Sequence, residues 1–233
     1  MPKHTIGMAA DAATIDMHEA TADCVKGRKT LSFVTTNPQK SEHVRRLFAK
    51  RGVRIEIVAR EVPEIQDRDL ESVAKKKATA ASELIGGPAL VEDFGILVEG
   101  WSGMPGPFTK WFVEALTPQK LALMLRKQET TKVQVCTVLA YCDAEHTPAA
   151  EVFCGTLEGE IQTEPKGIAV PNWLGQFIRV TDESVLSEES VGADTDLRVL
   201  DLLREEKYQD VADRKSHRAQ AFQKFLHWYL HQV

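Results

Sequence analysis

The sequence predicts an α/β fold, a long mixed sheet flanked by helices, and three observations carry that expectation. Between Leu31 and Val91, β-like and helix-like patterns alternate. Two longer β-like runs, Val133 to Tyr141 and Ala150 to Ile161, are separated only by a turn around Asp143 to Pro148, which makes them an antiparallel hairpin. Two helical stretches then close the chain, at about Thr195 to Lys207 and Ser216 to Leu230.

The elements follow in order. Met1 to Lys29 shows no apolar period and reads as a mobile leader, leaving residues 30–233 as a single domain. Leu31 to Thr35 is a short apolar strand. Asn37 then has the character of a helix N-cap, with Pro38 at the first helical position, where a missing N–H costs nothing. Val44, Leu47 and Phe48 form the inward face of that helix, and Gly52 ends it. Val53 to Ala59 alternates as a second strand. Leu70 to Ile85 is a helix carrying Lys75, Lys76 and Lys77 and stopping at Gly86-Gly87-Pro88. Ala89 to Val91 is a buried strand ending on Glu92-Asp93, with Gly95 to Val98 extended beyond it. Gly103 to Pro107 is a turn, and helices follow at about Phe108 to Leu116 and Gln119 to Lys127. Pro165 to Gly175 reads as a loop and Phe177 to Val180 as a further strand.

A chain of 233 residues and net charge −5 is large enough for a sizeable core and too acidic to coat nucleic acid, whose binding needs a surplus of Lys and Arg. Cys24, Cys136, Cys142 and Cys154 form no CxxC pair, and the last three fall in strand-like runs, the usage of reduced buried thiols. No apolar run approaches the roughly 20 residues that cross a bilayer, and the start lacks a secretory pattern, so the cytoplasm is the expected location.

Three features lie where loops meet the ends of elements. Thr35-Thr36-Asn37-Pro38-Gln39-Lys40 offers hydroxyls, helix-start N–H groups and an ammonium to an anion. A capped helix with a solvated lysine also accounts for it. Glu64, Glu92 and Asp93 are an acidic set, and adjacent carboxylates at a buried strand end repel unless a cation is shared. Mg²⁺ suits that need, because it takes oxygen ligands and usually keeps one or two carboxylates with water and phosphate. The bland alternative is a solvated strand end in contact with lysines. Arg214-Lys215-Ser216-His217-Arg218 sets basic groups at the start of the last helix, where they oppose the helix dipole. A bound anion or base carbonyl would explain that choice, as would a solvated basic face.

In this order, these residues resemble the inosine triphosphate pyrophosphatase family from Leu31 nearly to the C-terminus. The family's opening motif T-x-N-x-x-K stands as Thr35 to Lys40, and its acidic loop as Val62-Pro63-Glu64-Ile65-Gln66. The most specific stretch is Leu90-Val91-Glu92-Asp93 followed by Gly103 to Phe112, and the closing S-H-R is Ser216-His217-Arg218. The resemblance implies two lobes around a long, twisted mixed sheet with a central nucleotide cleft, and a homodimer. It also implies Mg²⁺, with Mn²⁺ as a substitute, held by Glu64 and Asp93 with Glu92 beside them. Asp93 would orient or deprotonate the attacking water, with Lys40 and Lys110 as its catalytic partners. Thr35, Thr36, Asn37 and Lys75 would meet the triphosphate, while Trp173, Ser216, His217 and Arg218 would meet the purine. The implied reaction converts inosine and xanthosine triphosphates and their deoxy forms to the monophosphate and pyrophosphate.

The base-pocket loop departs from the family's approximate P-R-G-x-x-x-F-G-Y/W-D-P. Pro165-Lys166-Gly167 is followed by Pro171, Asn172, Trp173 and Leu174, so the stacking Phe is Pro171 and the Asp is Leu174. The Lys expected four residues before the Ser is Ala212, with Arg214 and Lys215 as nearby substitutes. Two further readings therefore stand beside the first: a pyrophosphatase of altered base selectivity, and a non-catalytic nucleotide binder.

Overall fold

A computed structural model describes residues 30–125, 130–145, 147–166, 173–192 and 194–231. The leader expected over 1–29, Cys24 and most of the base-pocket loop lie outside the described residues. The strands are β1 (Ser32–Val34), β2 (Glu56–Val58), β3 (Ala89–Val98), β4 (Pro105–Gly106), β5 (Lys132–Asp143), β6 (Thr147–Ile161) and β7 (Ile178–Val180). The helices are α1 (Pro38–Ala49), α2 (Leu70–Ile85), α3 (Thr109–Ala115), α4 (Pro118–Leu125), α5 (Glu183–Leu186), α6 (Val199–Arg204), α7 (Gln209–Lys215) and α8 (His217–Leu230).

The strands form one mixed sheet in the order β2-β1-β3-β5-β6-β7, with β4 on β3. β1 pairs in parallel with β2 and β3, as βαβ crossovers require, and β3, β5, β6 and β7 run antiparallel in succession. The expected hairpin is present and is longer at its turn end than the alternation indicated. The expected caps are also present: Asn37 accepts from the N–H groups of Gln39 and Lys40, Pro38 sits in the first turn of α1, and Gly86 closes α2 in the left-handed region.

Two differences from the sequence reading matter. Glu92 and Asp93 do not end a strand. β3 continues through them and pairs with β5 from Ala89 opposite Cys142 to Val98 opposite Val133, so the ladder satisfies their backbone groups. The single helix expected from Thr195 to Lys207 is shorter and is followed by a separate α7. Arg198 begins α6, its guanidinium donating to the Asp196 carboxylate and the Gln176 carbonyl, which holds the preceding residues out of helical conformation.

Three apolar clusters place the cleft. Leu90, Leu139 and Phe153 pack beneath α1 and α8 on one face of the sheet, with Phe48, Phe222 and Phe225. Val91, Cys136, Val138 and Ala140 pack under the alanine stripe of α2 on the other face. Farther along the same strands, Ile96, Val135, Leu157 and Ile161 join β7 and helices α4, α6 and α7 in the third cluster. The long strands thus run through two lobes, and the residues between the clusters, around Glu92 and Asp93, line the gap.

α8 reaches this gap only because β6 has no side chain beneath its first turn. A Cβ at Gly155 would stand 1.9 Å from the His217 carbonyl oxygen and 2.7 Å from the Ala221 nitrogen, both backbone atoms that cannot swing aside. Gly155→Ala is therefore expected to destabilise the protein by about 3 kcal/mol or more. Gly52→Ala, where nothing lies within 4 Å and only a positive φ of 65° is at stake, should cost about 1 kcal/mol. Urea unfolding of the two variants checks the ranking.

Candidate active site

Alternation along β3 sends neighbouring carboxylates to opposite faces. Glu92 follows Leu90 toward α1 and α8, and Asp93 follows Val91 toward α2. The Glu92 side chain is wholly buried and sits between two cations. Arg218 of α8 donates from Nε at 3.2 Å and from its terminal nitrogen at 2.9 Å to Oε1. Lys40, in the first turn of α1, lies 3.4 Å from the same oxygen and donates to the Glu92 carbonyl at 3.0 Å. Burial alone would raise the Glu92 pKa, yet Arg218, Lys40 and His43 hold it down at about 2. The cost of burial falls on Lys40, whose pKa is lowered despite Glu92.

On the other face Lys77 of α2 binds Glu64, from the loop after β2, and its ammonium is 4.0 Å from Asp93 Oδ2. Burial pushes the Asp93 carboxyl above its ordinary range against the pull of Lys77 and Lys40, and Glu64 adds to the rise. Its Oδ1 accepts from the N–H of Phe94, while its buried Oδ2 has no hydrogen-bond partner among the described residues. Glu64, Ile65, Gln66, Asp93, Phe108 and Trp111 line an open cleft there. Among the described residues no three of His, Cys, Asp and Glu converge as a metal cage. The acidic set expected from the sequence is thus divided: Glu64 and Asp93 share a cleft, and Glu92 has its own cations on the far face. A pair of carboxylates with one orphaned oxygen still matches the habit of Mg²⁺, which fills its remaining positions with water and phosphate.

The N-terminus of α8 lies on the Glu92 face of the sheet. Ser216 is fully buried and caps the helix, accepting from the N–H of Ala219. His217 Nδ1 is 2.7 Å from Thr137 Oγ1, and burial pushes its pKa down to about 3. His43 of α1, which the sequence reading did not single out, is pushed down to about 4 by burial and then by Arg218 and Arg46. Buried atoms without a partner among the described residues include His43 Nε2, Glu92 Oε2, Asp93 Oδ2 and His217 Nε2. Buried polar groups are nearly always satisfied, so His43 Nε2, Glu92 Oε2 and His217 Nε2 on one face of the sheet, and Asp93 Oδ2 on the other, are atoms that solvent or a ligand would have to meet.

The remaining candidates are placed as follows. Thr35 Oγ1 accepts from the N–H of Asn37, and the Asn37 carbonyl oxygen of the side chain is engaged as the cap, which leaves its amide hydrogens and the exposed Thr36 facing outward. Lys75 does not face the carboxylates: it is about half exposed and lies 3.9 Å from Glu71 one turn back. Lys77, which binds Glu64 and approaches Asp93, does face them. Leu70, Val73, Ala74, Ala78 and Ala81 form the inward stripe of α2, and Lys77 falls within that stripe whereas Lys75 does not, a signal the sequence held. Lys110 is exposed, its ammonium 5.0 Å from the ring centre of the cleft-lining Trp111. Trp173 opens a short helical turn before β7, and its side chain lies outside the description. Of the two basic residues near Ala212, Arg214 has its guanidinium engaged by Glu188 and Asp210, and Lys215 also lies toward Glu188. Leu174 and Ala212, where the family pattern has charged residues, are both buried in one apolar cluster.

The depressed groups give the fold an acid limit. His43 and His217 bind protons at 6.5 when unfolded but only near 4 and 3 when folded, so the unfolded chain gains stability as pH falls below 6.5. Glu92, depressed from 4.5 to about 2, adds a second loss below pH 4.5. Tm is expected to decline below pH 6.5 and to steepen below 4.5. Thermal melts of the wild type and His43→Gln check this, the variant losing part of the first decline.

Comparison with known proteins gives the family of the chain. A protein of Methanopyrus kandleri named dITP/XTP pyrophosphatase is 28% identical over 201 residues, covering 86% of this chain and 96% of the relative. A Tuber melanosporum protein named inosine triphosphate pyrophosphatase is 36% identical over 147 residues, or 62% of this chain and 77% of the relative. In fold, the chain is similar to a HAM1 protein from Coxiella burnetii, with TM-score 0.66 and 22% identity over 86% of this chain and 98% of the other. The sequence profile of the Ham1 family matches residues 31–190, the stretch that carries Lys40, Glu64, Lys77, Glu92 and Asp93, and on that match the chain belongs to the Ham1 family.

Proposed function

We propose that this chain is a Mg²⁺-dependent nucleoside triphosphate pyrophosphatase that converts inosine, deoxyinosine and xanthosine triphosphates to the monophosphate and pyrophosphate. One observation carries the reading: the partnerless buried Oδ2 of Asp93 stands beside Glu64 in an open cleft that Lys77 enters from α2. Glu64 and Asp93 would hold the divalent ion, Mg²⁺ or in its place Mn²⁺, which supplies Lewis-acid polarisation of phosphate oxygens. Lys77, Lys40 and the exposed Lys110 offset the phosphate charge, and the Asn37 amide donates from the start of α1. Asp93 would take a proton from water as the water oxygen bonds to the α-phosphorus. The bond from the α-phosphorus to the bridging oxygen breaks, and pyrophosphate leaves with the electron pair. His217 and Arg218 would donate to the purine 6-oxygen, a contact that an adenine amino group cannot accept.

A second reading, the same reaction with altered base selectivity, is favoured by the burial of Leu174 and Ala212 in one apolar cluster and by the engagement of Arg214 with Glu188. A homodimer in the cytoplasm accompanies either reading. It is supported by Trp111 and Leu123, each 62% exposed on the successive helices α3 and α4, and by the absence among the described residues of a helix able to cross a membrane. Sedimentation at micromolar concentration decides the dimer.

A panel of inosine, xanthosine, guanosine, adenosine and uridine triphosphates with Mg²⁺, scored for pyrophosphate, tests the function. Inosine and xanthosine substrates should be fastest, and chelation should stop the reaction until Mg²⁺ or Mn²⁺ is restored. Similar rates for all purines would select the second reading. Release of single phosphate, or binding without turnover, would overturn both. Asp93→Asn should lower kcat by about 10²–10⁴ with Tm retained. Lys77→Met should lower kcat/KM by about 10- to 100-fold, while Lys75→Met stays within about twofold of wild type. The reverse ranking of the two lysines would remove Lys77 from the site.

A further inference from the structure

Three neighbouring positions across the sheet form the seat of His217. Phe94 of β3 pairs with Thr137 of β5, and Thr137 pairs with Gly155 of β6. The imidazole centre is 5.6 Å from that of Phe94, Nδ1 is 2.7 Å from Thr137 Oγ1, and the His217 carbonyl occupies the space a Gly155 side chain would need. Thr137 and His217 are 0% and 1% exposed.

A neutral imidazole carries one donor and one acceptor nitrogen, and the partner of one decides the role of the other. If Nδ1 carried the hydrogen and donated to Thr137, the hydroxyl hydrogen would need an acceptor of its own. Thr137 Oγ1 has no other partner among the described residues. If the hydroxyl donates to Nδ1 instead, the hydroxyl hydrogen and Nδ1 satisfy each other and the imidazole hydrogen resides on Nε2, the buried atom that lacks a protein partner.

We infer that Thr137 is a positioning residue that locks His217 in the Nε2–H tautomer, so that the site holds an uncharged donor for the 6-oxygen of a purine. This rests on the proposed function and adds the origin of its base preference. A 6-oxo purine accepts from Nε2–H, whereas a 6-amino purine brings hydrogen against hydrogen. Without the hydroxyl, the ring is free to carry its hydrogen on Nδ1 and to turn an acceptor toward an amino group.

Thr137→Val keeps the shape and removes the donor, and Thr137→Ser keeps the donor. For the full-length protein at pH 7, nitrogen chemical shifts of the imidazole, assigned by difference from His217→Gln, report the tautomer. Steady-state rates with inosine and adenosine triphosphates and Mg²⁺ report preference. The wild type and Thr137→Ser should carry the hydrogen on Nε2. Thr137→Val should show Nδ1–H character and a ratio of kcat/KM for inosine over adenosine triphosphate that is lower by about tenfold or more, with the loss in KM for the inosine substrate. A wild-type hydrogen on Nδ1, or an unchanged ratio in Thr137→Val, would overturn the inference. If the wild type releases no pyrophosphate from inosine triphosphate, the proposed function fails, and the tautomer measurement on the free protein still decides the role of Thr137. Should Thr137→Val not fold, the wild-type and Thr137→Ser spectra decide it.

Discussion

A carboxylate buried at the middle of a sheet has to be met by cations, and Glu92 is met by two that come from opposite ends of the chain. Lys40 begins the first helix and Arg218 begins the last, and both close on Oε1 of one residue in β3. Removing both cations would leave an uncompensated buried charge, at a cost of about 3–5 kcal/mol. The starts of α1 and α8 are therefore fixed relative to each other through β3. One anchor sets the distance between the group suited to phosphate and the group suited to a base edge.

The pleat of β3 then does the sorting. Because side chains alternate, a single Glu-Asp step serves both faces: Glu92 organises the helices α1 and α8, and Asp93 faces α2 with Glu64 and Lys77. Two acidic residues adjacent in sequence thus avoid mutual repulsion by separation, and each acquires its own cation. Burial without complete pairing raises Asp93, whereas Glu92 is held down against its burial by Arg218 and Lys40, so the two carboxyls differ in proton affinity although they are one residue apart.

Much of this was legible in the residues. Cap chemistry at Asn37-Pro38 and Gly86, the hairpin of β5 and β6, and Ser216 as the start of α8 depend on local rules, and they stand where those rules put them. The continuity of β3 was not legible, because charged residues inside a run argue for its end, and only the partner strand β5 reveals that their backbone is paired. The choice of Lys75 over Lys77 came from motif alignment, while the helical period of α2 pointed to the other residue. Thr137 and His43 carried no signal at all. Their importance arises from contacts made across the sheet, Thr137 with a residue 80 positions away, and no local pattern encodes such a distance.

The unbroken course of β3, β5 and β6 through both lobes has a mechanical consequence. Bending one lobe against the other would shear a ladder paired from Ala89 to Val98 and from Lys132 to Tyr141, which opposes a hinge at the strands. Any narrowing of the nucleotide cleft falls instead to pieces attached at its rim, the Glu64 loop and the α3 segment with Trp111.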